Sequence, residues 1–187
     1  MALFGCGNLS YINLREPIYL FPQKSFWAGC EYSPFGYKLC QSRRINQVYN
    51  GINEWFQYFD KANRPRVIMV FSVGSIPFNV KNKPIYLRIG ESKCSGEAAA
   101  CYHYRWWKEL EIIFTSAQYI DTTMSHEFGH VLGRDDNDVP EGVVSVMSYN
   151  HSSKVTPSDF KMMCALHREC RMLVTASDLP YTDKQRQ

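Results

Sequence analysis

This chain lacks a long hydrophobic run, a strong excess of one charge sign, and any repeated or low-complexity segment. Residues 67–71 are among its longest apolar stretches, and they are strand-sized, whereas a membrane-spanning helix needs roughly 18 or more apolar residues. The formal net charge of +3 is too small to supply the basic field that nucleic-acid binding requires. The sequence therefore argues against a membrane-spanning protein and against a nucleic-acid-binding one.

No two cysteines have the Cys-x-x-Cys spacing of a cysteine-based zinc site, although the chain contains seven. They are Cys6, Cys30, Cys40, Cys94, Cys101, Cys164 and Cys170. A reduced cytosolic hydrolase usually carries fewer, so disulfides in a secreted or extracytoplasmic protein are the better interpretation. Cys30 and Cys40 are plausible partners across one short loop. Cys94 and Cys101 are plausible partners across another.

The remaining cysteines give weaker indications. Cys164 and Cys170 lie at positions i and i+6 of one predicted helix, on different faces, so we expect each to pair with a distant cysteine if it pairs at all. The N-terminal Leu3-Phe-Gly-Cys6 resembles the lipid-attachment site of bacterial lipoproteins, although no apolar segment precedes it. A free thiol or an N-terminal tether is the alternative for Cys6.

Size and composition indicate one globular domain. The chain of 187 residues is long enough for a single core, and 45% hydrophobic with 21% charged residues is a globular composition. We therefore expect one domain over residues 1–187.

Residues 125–136 carry the strongest chemical signal and read Ser-His-Glu-Phe-Gly-His-Val-Leu-Gly-Arg-Asp-Asp. On a helix, positions i and i+4 share a face, so His126 and His130 can both offer an imidazole to one metal ion, with Glu127 beside it. Gly133 can take a positive φ, end the helix and turn the chain back. Asp136 then comes within reach as a third ligand, which completes the protein ligands of a catalytic Zn²⁺.

Each of these residues also has an interpretation without chemistry. His126 and His130 alone fit ordinary helix histidines. Asp136 has acidic neighbours in Asp135 and Asp138, so it also fits a solvated carboxylate, and Asp135 is the second candidate for the third ligand. The combined spacing of histidines, glycine and aspartate favours the metal site with Asp136, and it predicts about one zinc ion per chain.

Downstream, residues 145–150 read Ser-Val-Met-Ser-Tyr-Asn, and with this segment the chain resembles a known family. The pattern His-Glu-x-x-His-x-x-Gly-x-x-(His or Asp) followed by a methionine turn is that of the metzincin zinc endopeptidases. Aspartate at the third-ligand position looks like the small snapalysin-type bacterial proteases, and Met-Ser-Tyr looks most like the serralysins. The specific motifs cover residues 123–150, and the rest of the chain matches only in the order of its elements.

The resemblance implies roles for two further residues. Met147 would form an apolar floor beneath the metal, and Tyr149 matches a tyrosine that in astacin-like and serralysin-like members reaches the metal or steadies the tetrahedral intermediate. Taken alone, Met147 fits a core residue and Tyr149 fits a structural phenol. By the same resemblance the chain is a monomeric zinc-dependent endopeptidase that acts on a protein or peptide, with Glu127 as general base.

Apolar periodicity places these motifs on a series of elements. Strands are predicted at residues 18–21, 66–73, 84–89 and 109–115, and helices at 41–59, 122–132 and about 157–172. Residues 50 and 51, Asn-Gly, alone indicate a turn, but the helical period on both sides favours one continuous helix. The metzincin resemblance implies an α+β fold, with a twisted mixed sheet over two or three helices and an active-site cleft. Residues 1–120 would hold the sheet and first helix, and residues 121–187 the metal helix, methionine turn and last helix.

An aromatic cluster precedes the last predicted strand and consists of Tyr102, Tyr104, Trp106 and Trp107. In the metzincin family the last antiparallel strand forms the upper rim of the cleft and pairs with an extended substrate, so this cluster could line substrate subsites. Packing on the sheet is the commoner use of such residues.

Two alternatives to an endopeptidase stay open on the sequence. One is a zinc hydrolase that cuts a non-peptide amide bond. The other is a catalytically silent binding module that keeps zinc for structure on a metzincin-like scaffold. Cleavage of an unfolded protein that a chelator abolishes distinguishes the endopeptidase from both.

Overall fold

The computed structural model describes residues 12–90, 98–105, 109–136, 139, 143–148, 154–167 and 170. These residues form one five-stranded sheet together with three α-helices and several short 3₁₀ turns. Within this part of the chain, no helix has both the length and the apolar character needed to cross a membrane.

The sheet combines parallel and antiparallel pairing. Its strands are β1 (Ile18–Pro22), β2 (Val67–Met69), β3 (Ile85–Ile89), β4 (Ala100–Arg105) and β5 (Glu109–Phe114). They lie in the order β2-β1-β3-β5-β4. The pairs β1–β2, β1–β3 and β3–β5 are parallel, whereas β4 runs antiparallel to β5 at one end of the described sheet. This mixed sheet with its helices agrees with the predicted α+β class.

Three α-helices accompany the sheet: α1 (Tyr37–Phe56), α2 (Ile120–Val131) and α3 (Pro157–Leu166). The prediction that α1 continues through Asn50 and Gly51 is confirmed. A Cβ at Gly51 would lie 2.7 Å from Met124 Cβ and 2.9 Å from the backbone nitrogen of Ser125, both in α2. Because glycine has no Cβ, the two helices can cross this closely. Glycine at this position therefore serves helix packing and forms no turn.

The hydrophobic core lies between the sheet and the helices. Its largest fully buried side chains include Trp55, Phe56, Phe114 and Phe128. The Phe56 and Phe128 rings meet edge to face with their centroids 5.7 Å apart, which joins α1 to α2. Trp55 Nε1 donates a hydrogen bond of 2.7 Å to the Ser125 carbonyl, so its polar group is satisfied inside the core. This packing fixes α2 against α1.

The cysteines confirm one predicted pair and correct another prediction. Cys30 and Cys40 form a disulfide with a Cα–Cα distance of 5.5 Å, as expected. Cys164 and Cys170 are also bonded to each other, so the prediction of distant partners is wrong. The reason is that α3 ends at Leu166 instead of continuing to about residue 172, and this brings the two Cα atoms within 5.0 Å.

Two further cysteine predictions fall partly outside the described residues. Cys101 in β4 is disulfide-bonded. Cys94, its expected partner, and Cys6, the candidate lipid-attachment residue, both lie outside the described residues. The described disulfides are compatible with an extracytoplasmic protein.

Candidate metal centre

Helix α2 and the turn that follows it bring three potential metal ligands together. His126 Nε2 lies 3.3 Å and His130 Nε2 lies 3.4 Å from Asp136 Oδ1. The three ligand atoms all lie within 4.8 Å of one another. A tetrahedral ion with bonds of about 2.0–2.1 Å separates its ligand atoms by about 3.3 Å, so the aspartate oxygen has the spacing from each imidazole that a zinc ion requires.

The turn after α2 is what delivers the aspartate. Gly133 has φ +82°, a left-handed conformation that glycine adopts without strain. Its N–H donates to the His130 carbonyl and the Arg134 N–H donates to the Gly129 carbonyl, both at 2.9 Å, which is the Schellman pattern of a helix end. The predicted role of Gly133 is confirmed. The reversed chain then carries Asp136 back beside the two histidines.

Backbone carbonyls orient both imidazole rings. His126 Nδ1 lies 2.8 Å from the Val146 carbonyl oxygen, and His130 Nδ1 lies 2.9 Å from the Arg134 carbonyl oxygen. Because a carbonyl oxygen can only accept, each Nδ1 carries the hydrogen and each Nε2 keeps a lone pair directed at the shared point. Burial lowers the pKa of His130, which favours the neutral, ligand-competent imidazole.

Glu127 is nearly buried beside the three ligands, and its neighbour on β4 contributes a hydrogen bond. Burial raises the pKa of Glu127 to about 8, the charge of Asp136 acts in the same direction, and a hydrogen bond from the Tyr102 backbone N–H opposes the rise. Within the described part of the chain, Glu127 Oε2 has no hydrogen-bond partner. The Tyr102 N–H thus fixes the carboxyl group in place, while Oε2 stays available for proton transfer.

Met147 packs against helix α2 at Gly129. Its side chain is fully buried, and a Cβ added at Gly129 would overlap its sulfur and come within 2.8 Å of Trp55 Cζ2. Because Met147 and Trp55 lie this close to Gly129, a larger side chain at Gly129 would push Met147 or helix α2 away. The contact places Met147 against the helix that carries His126 and His130, and its role as an apolar floor for a metal stays a prediction.

The structure thus brings four predicted site residues together, whereas four other residues of the sequence predictions lie outside the described part of the chain. His126, Glu127, His130 and Asp136 form one cluster, and the grouped ligand set contains Asp136, not Asp135. Tyr149 lies outside the described residues. Asp138, Trp106 and Trp107 lie outside them too.

Tyr102 is the member of the aromatic cluster that the structure places at the site. Its ring stacks near His130, with centroids 6.1 Å apart and planes 23° from parallel. Its backbone also donates to Glu127. The sequence predicts for the aromatic cluster either substrate subsites or packing on the sheet. The contacts of Tyr102 with His130 and Glu127 join a strand to a helix, and no local sequence pattern indicates them.

No protein-family model matches the chain, and no curated protein matches it significantly. The geometry of the site and the fold therefore carry the functional argument.

Proposed function

We propose that this protein is a secreted or extracytoplasmic zinc-dependent endopeptidase of the metzincin type. The observation that carries the proposal is the convergence of His126 Nε2 and His130 Nε2 on Asp136 Oδ1, each at the distance that separates neighbouring ligands of a tetrahedral zinc ion. Two imidazole nitrogens and one carboxylate oxygen are a donor set that suits zinc. Three protein ligands also leave a fourth position open, as catalytic zinc sites require.

Zinc bound there supplies a Lewis acid that polarises a carbonyl group and acidifies water. Glu127 is the group that moves the proton. Its Oε2 takes a proton from the attacking water and later delivers it to the nitrogen of the departing amine. In the metal-free site burial raises the pKa of Glu127, and the positive charge of a bound zinc ion would lower it again, toward the range in which a carboxyl group both accepts and releases a proton near neutral pH. Glu127 is therefore assigned as general base and then general acid.

Strand β4 is the proposed docking edge for an extended peptide. It runs antiparallel to β5 at the end of the described sheet, and the Tyr102 backbone joins this strand directly to Glu127. An extended substrate that adds to such an edge uses main-chain hydrogen bonds, which any peptide offers. A peptide is favoured over a non-peptide amide for this reason.

Three features support the metzincin assignment within this proposal. They are the mixed sheet with its single antiparallel strand among those described, the glycine-ended metal helix, and the buried methionine below it. The two described disulfides support export. Tyr149 stays a candidate for steadying the tetrahedral intermediate.

The test is digestion of an unfolded protein and a peptide library by the purified chain. We expect cleavage at internal peptide bonds, loss of cleavage with a chelator, and recovery on adding Zn²⁺. Glu127→Gln is the matched control, because it keeps the size of the side chain and all three ligands but cannot take a proton. It should retain zinc and lose turnover by orders of magnitude.

Other outcomes identify the alternatives. A zinc-loaded chain that cleaves no peptide but hydrolyses small amides is a non-peptide amide hydrolase. One that binds zinc and hydrolyses neither is a silent binding module. Near-normal turnover in Glu127→Gln would assign the general base to another residue.

A further inference from the structure

Asp159 is a fully buried carboxylate whose hydrogen bonds exceed what a helix cap needs. Its backbone N–H donates to Thr156 Oγ1, and its Oδ2 accepts from the Thr156 backbone and hydroxyl at 2.9 and 2.8 Å, which forms the capping box of α3. Its Oδ1 accepts from Ser145 Oγ, and its Oδ2 also accepts from the Val146 N–H at 3.1 Å. Two of the four bonds that the carboxylate accepts thus come from a segment outside α3 and its cap.

That segment is the methionine turn, residues 145–148, which supports one of the ligand histidines. The peptide group between Val146 and Met147 is held on both sides. Its N–H, on Met147, donates to Ser145 Oγ at 3.0 Å, and its carbonyl, on Val146, accepts from His126 Nδ1 at 2.8 Å. The hydrogen-bond donors therefore run in one direction, from His126 through the peptide group and Ser145 to Asp159.

The direction of this chain of hydrogen bonds matters for the metal. A carboxylate at its end strengthens each bond before it, because successive hydrogen bonds polarise one another. The Val146 carbonyl becomes a stronger acceptor for His126 Nδ1–H, and this both fixes the ring and makes its Nε2 a better donor to a metal. The ring of His130 is oriented by the Arg134 carbonyl, which lies in the turn that ends α2 and is not part of this chain of bonds.

We propose that Asp159 is a positioning residue for the metal centre, acting on His126 through Ser145 and the Val146–Met147 peptide group. The inference rests on the proposed function in one respect, since it requires that the three ligands bind zinc. It adds that the strength of that binding is set in part from the start of α3, 33 residues along the chain from His126. Of the two histidines, the chain of bonds from Asp159 reaches His126, whereas the carbonyl that orients His130 belongs to Arg134 in the turn after α2.

The test is zinc affinity of the metal-stripped protein, measured by competition with a chromophoric chelator, together with the absorption spectrum of the Co²⁺-substituted protein. Asp159→Asn should bind zinc about 10–100-fold more weakly than the parent and shift the cobalt bands. Ser145→Ala breaks the same chain of bonds at a neighbouring atom without removing the capping box. It should weaken zinc binding in the same direction, and the double variant should lose less than the sum of the two losses.

Thr156→Val is the matched control, because it removes the capping hydroxyl of α3 but leaves the bonds from Ser145 and Val146 to Asp159. It should lower Tm while the zinc affinity and the cobalt spectrum stay those of the parent. All measurements are made below the Tm of the least stable variant.

The outcomes separate the two proposals. A parent that binds no zinc overturns the proposed function and this inference with it. A parent that binds zinc, with unchanged affinity in Asp159→Asn and in Ser145→Ala, overturns the inference alone. So does a loss in Thr156→Val as large as that in Asp159→Asn, since helix stability would then explain both. If Asp159→Asn does not fold, Ser145→Ala decides: parent-like zinc affinity there overturns the inference.

Discussion

The carboxyl group of Glu127 is held in surroundings that disfavour its charge. The residue is 4% exposed, and burial raises its pKa to about 8 from the ordinary 4.5. Since the pKa is higher in the folded state, the ionised group destabilises the metal-free fold. That cost begins as the pH rises above about 4.5 and is complete above about 8. The carboxyl group that we propose as general base thus lowers the stability of the metal-free fold that holds it.

Glu127→Gln should therefore stabilise the metal-free protein even though it removes activity. The glutamine carries no charge to desolvate, so we expect a gain on the order of a few kcal/mol in the free energy of unfolding above about pH 8, shrinking to near zero at about pH 4.5. Thermal unfolding in chelator across this pH range measures the difference. Asp121→Asn, which removes an exposed carboxylate from the first turn of the same helix, should give no such gain. A parent-like pH dependence in Glu127→Gln would contradict the raised pKa.

Asp136 and Asp135 are adjacent carboxylates with different predicted roles. Only Asp136 places an oxygen 3.3–3.4 Å from both histidine nitrogens. Asp136→Ala should weaken zinc binding by more than the roughly 10–100-fold that outer-shell changes cost, because it removes one of three ligands. Asp135→Ala should leave the affinity nearly unchanged. Chelator competition on both variants tests the assignment. If Asp135→Ala weakens zinc binding and Asp136→Ala does not, the third ligand is Asp135.

Helix α2, which carries the candidate ligands, packs against helix α1, and at Gly51 of α1 there is no room between the two helices for a side chain. Gly51→Ala adds a methyl group that would sit 2.7 Å from Met124 Cβ, so the helices must separate. We expect a loss of about 1–3 kcal/mol in the free energy of unfolding, as is usual for overpacking. Asn50→Ala, at the exposed neighbouring position, should be neutral or slightly stabilising because alanine favours helix. Denaturant unfolding of the two variants compares them, and equal effects would exclude the close crossing.

The helices of this fold could be predicted from sequence more completely than the sheet. Apolar residues at helical spacing identified α1 and α2, since a face that packs on a core leaves a local pattern. Strand β4 was missed because half-exposed residues such as Tyr102 and His103 show little alternation of apolar and polar residues. The end of α3 was placed too late, since no glycine or proline marks it and the Cys164–Cys170 bond acts through space.

In the candidate site too, residues with a local sequence pattern could be predicted, and contacts between distant residues could not. His126, Glu127 and His130 follow from spacing within one helix, and Asp136 follows from the glycine that must end it. The contact from Tyr102 to Glu127 and the bonds from Asp159 to the methionine turn join residues that are distant in sequence. Such contacts depend on how the elements pack, so no local pattern announces them. The capping box of Thr156 and Asp159 joins residues three apart in sequence, whereas the second set of bonds that Asp159 makes reaches Ser145 and Val146.

Of the two described disulfides, Cys164–Cys170 lies next to the end of the helix that carries the candidate ligands, whereas Cys30–Cys40 lies beside α1. Cys30–Cys40 joins the segment before α1 to the first turn of that helix. Cys164–Cys170 closes a loop that contains His167, whose Nε2 lies 2.9 Å from the carbonyl of Leu132, the residue that caps α2. Mass spectrometry of the unreduced protein should accordingly show at least two disulfides. A fully reduced chain purified from an oxidising medium would contradict the extracytoplasmic assignment.

Removing each disulfide should separate stability from metal binding. Replacing both cysteines of a pair by alanine is expected to cost on the order of 2–3 kcal/mol in either case, because each closes a loop of similar short length. Only the Cys164/Cys170 variant frees the loop that holds His167 against the end of α2, where Gly133 begins the turn to Asp136. Its zinc affinity should fall several-fold, whereas the Cys30/Cys40 variant should bind zinc as the parent does. Unfolding curves and chelator competition on the two variants measure both quantities, and equal zinc affinities would show that the turn holds Asp136 without help from the last helix.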